Sequence, residues 1–180
     1  MENTNINTFG GHVKIKADGL DESRSFVSYG NNTIDAGSGT INIEGEISSS
    51  SSGIGIIVGV HAVRIDSELT LKSSASDTAI TLNSKGVGTS EGIHISGVLT
   101  IESSGSGDVE INANPTGTGY GIEVGAYYDG ILNVYAASGD IDIVDGDNNM
   151  SVKRYIPDFK SQSGEVEMTF NDICKFWWWF

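Results

Sequence analysis

The sequence predicts an all-β chain wound as a right-handed parallel β-helix (solenoid) of about five three-strand coils. Three observations carry that expectation. The first is a short pattern, a glycine and a polar residue followed by apolar, polar, apolar, as in Gly107-Asp108-Val109-Glu110-Ile111. It recurs with its first apolar position at Val13, Ile41, Ile80, Val109, Ile141 and Val166, and only the copy at Ile80 lacks the glycine. The second is the interval, which averages about 31 residues and falls in the range of solenoid and propeller repeats. The third is that two more short apolar runs lie between successive copies. Gly92-Ile93-His94-Ile95 and Leu99-Thr100-Ile101 precede Val109; Gly121-Ile122-Glu123-Val124 and Leu132-Asn133-Val134 precede Ile141. Strands this short cannot bury a face alone. Stacked coils place Ile on Ile and Leu on Leu, with backbone hydrogen bonds running between coils. A β-propeller would need four strands per repeat, and three are counted.

Taken in order, residues 1–9 are polar, without a period, and are expected to fray. Residues 10–149 form the repeats. Gly10 to Ala17 is the first strand and Asp18 to Arg24 a charged loop. Phe26 to Tyr29 is the next strand, and Ile34, Ile41 and Ile43 complete that coil. Ser48 to Ser52 is a serine corner. His61 to Glu68 is read as an insertion, because the longest interval falls there, with Val63 and Ile65 offering a short extra strand. Residues 69–149 are the most regular, and Asn114 to Gly119 is a turn cluster. Residues 150–180 hold a last partial coil ending in Val166 to Phe170, then an aromatic run, Phe176-Trp177-Trp178-Trp179-Phe180. That run is read as a cap over the solenoid's open end, a membrane-interface anchor or a truncation artefact, the anchor being the least favoured.

Composition agrees. Among 180 residues there are 24 Gly and only 2 Pro, which suits tight corners and strands that must donate hydrogen bonds on both sides. The net charge of −14 argues against a nucleic-acid partner. Cys174 is the lone cysteine, so no disulfide forms within the chain. Residues 1–20 lack the pattern of a signal peptide, and no stretch approaches the ~20 apolar residues of a membrane span.

The repeats Asn32-Thr33-Ile34-Asp35-Ala36-Gly37-Ser38-Gly39-Thr40-Ile41-Asn42-Ile43, Gly97 to Val109 and Gly117 to Ile122 resemble those of filamentous-haemagglutinin-type large exoproteins. The resemblance covers roughly residues 10–149, through motifs that any β-helix favours. It implies a secreted or cell-surface bacterial adhesin, exported by an outer-membrane partner transporter. The export domain and signal peptide of that family have no counterpart in this sequence, so an internal fragment is expected.

Candidate chemistry is sparse. His12, His61 and His94 fall in different repeats, and His94, between Ile93 and Ile95, is expected to face solvent. His61, Arg64 and Asp66 make the only local grouping of that kind. In the signature strand the outward position runs Lys14, Asn42, Thr81, Glu110, Asp142, Glu167. Glu110, Asp142 and Glu167 would stack at about 4.8 Å. Like charges there repel, and Ca²⁺ would relieve them, although splaying into water is the favoured outcome. Asp145 to Asn149 begins like a calcium loop but lacks its later glycine and glutamate. An ice-binding threonine array fails where Asn133 follows Thr70 and Thr100. The expected function is therefore non-enzymatic display of loops to a host cell, a neighbouring cell or a matrix glycan. The alternatives are a carbohydrate-active β-helix enzyme and a structural spacer.

Overall fold

The computed structural model describes residues 1–19, 24–48, 53–59, 67–86, 91–115, 121–124, 130–145, 151–152 and 158–170. Its elements are strands, taken here coil by coil. The first coil holds β1 (Asn5–Asn7), β2 (Val13–Gly19) and β3 (Arg24–Ser28). The second holds β4 (Asn31–Asp35), β5 (Ile41–Ile47) and β6 (Ile54–Val58). The third holds β7 (Glu68–Ser73), β8 (Ile80–Gly86) and β9 (Glu91–Ile95). The fourth holds β10 (Val98–Ser103), β11 (Val109–Pro115) and β12 (Ile122–Val124). The fifth holds β13 (Ile131–Ala136), β14 (Ile141–Asp145) and β15 (Ser151–Val152), and β16 (Asp158–Ser161) and β17 (Val166–Phe170) begin a sixth.

Each coil gives one strand to each of three parallel sheets. The first sheet is ordered β1-β4-β7-β10-β13-β16, the second β2-β5-β8-β11-β14-β17 and the third β3-β6-β9-β12-β15. This is the three-sided parallel solenoid that the repeat predicts. Register follows the sequence pattern residue for residue. Val13, Ile41, Ile80, Val109, Ile141 and Val166 form one row of the second sheet. Leu69, Leu99 and Leu132 form a row of the first, and Ile56, Ile93 and Ile122 a row of the third. A slip of one residue would turn these side chains outward, so the apolar alternation fixes the stacking. The core they make is continuous from Val13 to Ile143.

The start of the chain departs from expectation. Residues 1–9 include a paired strand: β1 pairs with β4, and Glu2 bridges Tyr29. Asn32 explains part of this. Its buried amide donates to Ser28 Oγ and to the Tyr29 carbonyl, both at 3.0 Å, while its oxygen accepts from the Thr4 amide at 2.9 Å. One polar side chain thus ties the entering segment to the second coil.

The signature glycine has a steric cause. A methyl at Gly139 would overlap the Gly107 carbonyl, one at Gly107 the Asp77 carbonyl, and one at Gly164 the Gly139 carbonyl. At this corner each coil rests directly on the backbone of its neighbour. Inward-facing serines serve the neighbouring corner: Ser73 and Ser103 donate to the carbonyls of Gly39 and Gly107, each at 2.7 Å. Among the described residues no helix is long and apolar enough to cross a membrane.

Candidate functional site

The outward rows are as regular as the inward ones. In the second sheet Lys14, Asn42, Thr81, Glu110, Asp142 and Glu167 lie in one register, as the spacing predicts. Glu110 accepts a hydrogen bond from Thr78 Oγ1 at 3.4 Å. Glu167 enters the row by its backbone register alone. Among the described residues no group of three or more His, Cys, Asp or Glu side chains gathers to hold a metal ion. At the other end of this sheet Lys14 pairs with Glu44 at 3.2 Å, and this contact holds the Glu44 carboxyl below its ordinary range.

The first sheet carries a ladder that alternates in charge along most of its length. Asp35, Lys72, Glu102, Tyr135 and Lys160 stand in register on successive strands. Lys72 and Glu102 pair at 2.9 Å, and that carboxylate raises the Lys72 pKa. Lys160 lies 5.7 Å from the centre of the Tyr135 ring. In the adjacent row Thr33, Thr70 and Thr100 precede Asn133. The ladder beside it is charged, so paired threonine rows do not form.

The third sheet differs from the others because its outer face is buried over three successive strands, β6, β9 and β12. Ile57 is in register with His94, and His94 with Glu123. Their exposures are 1%, 1% and 2%. The expectation of a solvent-facing His94 is therefore corrected: the side chain leaves the outer face, as alternation requires, but that face is covered. Alternation assigns a side and does not say whether the side is wet.

Among the described residues, Glu123 and Ser96 flank the His94 ring in line. Its Nδ1 lies 2.9 Å from Glu123 Oε2, and its Nε2 lies 2.7 Å from Ser96 Oγ. The geometry follows from two simple relations. Residues 94 and 96 lie two apart and so share a side, while Glu123 occupies the matching position one coil later. A proton on Nδ1, directed at the carboxylate, leaves Nε2 to accept from the Ser96 hydroxyl. The sequence holds the alignment, since Gly92-Ile93-His94-Ile95 sits over Gly121-Ile122-Glu123-Val124. Two-residue periodicity does not single it out; the signal for a buried outer face is the unbroken apolar run Ile56-Ile57-Val58 one coil earlier.

His12 is exposed and meets Thr40 Oγ1 at 3.0 Å across the coil boundary. His61, Arg64 and Asp66, the strand expected at Val63 and Ile65, the loop after Asp145 and the run Phe176 to Phe180 lie outside the described residues.

Comparison with protein-family models, with curated proteins and with solved structures finds no match for this chain. The resemblance to filamentous-haemagglutinin-type exoproteins rests on the repeat residues themselves.

Proposed function

We propose that this chain is a rod segment of a secreted or surface-exposed bacterial adhesin-type protein. It performs no covalent turnover in this role. It presents outward ladders and corner loops to a host cell, a neighbouring cell or a matrix glycan. The observation that supports the reading is the in-register ladder Asp35, Lys72, Glu102, Tyr135 and Lys160. Such a row repeats charged groups at about 4.8 Å along a stiff axis, a spacing suited to an extended partner that is itself a repeating polymer. Export through an outer-membrane partner transporter belongs to the same proposal and comes from the repeat resemblance.

The test is binding of the fluorescently labelled chain to immobilised matrix glycans and to host cells, with Tyr135→Ala and Lys72→Ala as comparison variants. Saturable binding that weakens several-fold in the variants is the expected result. A folded chain that binds none of these surfaces would favour the spacer. Cleavage of a glycan during the assay would favour the enzyme alternative.

A further inference from the structure

We propose a second role for the row on the third sheet: Ser96 is an activated nucleophile that accepts acyl or phosphonyl groups from electrophilic esters. Three facts carry this. The Ser96 hydroxyl lies 2.7 Å from His94 Nε2, within reach for proton transfer. Glu123 Oε2 lies 2.9 Å from His94 Nδ1 and orients the ring. His94 and Glu123 are buried, whereas Ser96 is only partly buried and stands at the accessible end of the relay. A nucleophile, a base and a group that holds the base follow in order, which is the logic of serine acyl transfer irrespective of fold.

The reaction balances without a cofactor. Ser96 Oγ bonds to the carbonyl carbon of the ester while its proton moves to His94 Nε2. The ester C–O bond breaks, and the proton passes to the departing alkoxide; with a fluorophosphonate, Oγ bonds to phosphorus, the P–F bond breaks and the proton leaves with fluoride. The product is an O-acyl serine and a free alcohol.

The neighbouring backbone sets the expected rate. The amides of Ser96 and Gly97 both donate to the Val58 carbonyl, at 2.8 and 3.1 Å. They are committed to the sheet and do not serve a developing oxyanion, and loss of one such donor lowers kcat by about 10²–10³-fold in serine hydrolases. Acylation and deacylation both pass through an oxyanion, so the site is a slow acceptor without rapid turnover, and an activated electrophile is needed to modify it; such a site is compatible with a display rod.

The experiment treats the whole chain with a fluorophosphonate probe and follows intact mass and peptide maps, with a circular-dichroism spectrum confirming the β fold. The expected result is one adduct on Ser96. It should form roughly 10²-fold faster or more than on the exposed Ser106 and Ser138, the range that general-base assistance supplies. Ser96→Ala abolishes it, and Glu123→Gln slows it at least tenfold while the spectrum is retained. A folded wild-type chain in which Ser96 reacts no faster than Ser106 overturns the proposal and leaves a structural hydrogen-bond row. If Glu123→Gln unfolds, the wild-type comparison among serines decides alone. If it folds and labels at the wild-type rate, the relay is refuted.

Discussion

At the scale of single residues, burial and register decide what each polar group can do. His94 and Glu123 are ionisable residues in a face without water, and they are tolerated because each meets a partner in line. Glu110 and Asp142 are like charges in register on an outward row. Glu110→Gln removes the repulsion and keeps an acceptor for Thr78. It should raise stability by about 0.2–1 kcal/mol in denaturant melts, with the gain shrinking as salt is added. The same melts run with millimolar Ca²⁺ and with excess EDTA test between a cation at Glu110, Asp142 and Glu167 and carboxylates that splay into water. A midpoint raised by Ca²⁺ in the wild type and not in Glu110→Gln would establish it; indifference would leave a metal-free row.

At the scale of elements, the unit is a strand and the corner that delivers it to the next coil. The strands are interchangeable in pattern, whereas the corners are specific. Gly139 is required because the Gly107 carbonyl occupies the place of a side chain. Gly139→Ala should therefore cost about 1–3 kcal/mol, as overpacking does, through displacement of one coil from its neighbour. A melt showing no change would mean that the corner yields freely. The Ser73 and Ser103 bonds to corner carbonyls make the same point from the polar side, since each satisfies an acceptor that the turn leaves inside.

At the scale of the whole molecule, stability is a sum over coils and their interfaces. Every sheet is parallel, and each strand pairs with strands one coil away, so no element folds on a local partner. Deleting residues 109–140 joins Asp108 to Ile141 and sets Ile141 upon Ile80, which preserves the row. The shortened chain should keep a β-type circular-dichroism spectrum and melt at a lower temperature. A random-coil spectrum would show that the coils are not modular. The same stacking sets the outward residues in ladders, the feature that the proposed display role would use.

Much of this is legible in the sequence. The recurrence of Val13, Ile41, Ile80, Val109, Ile141 and Val166 determines the three-strand coil and its register, because with a side-chain period of two only one stacking buries every apolar residue. It also places Glu110, Asp142 and Glu167 in one row. The environment of the outward rows is decided by tertiary structure. Pattern tells which side of a strand a residue occupies, while burial depends on what lies over that side, and His94 departs from expectation for that reason. The order of residues 1–9 has the same origin: their partners are Tyr29, Asn32 and β4, one coil distant, and nothing in a polar segment announces them. The relay of Ser96, His94 and Glu123 joins both lessons. Its alignment is written in the repeat, and its seclusion from water, which gives the alignment chemical meaning, exists only in the folded solenoid.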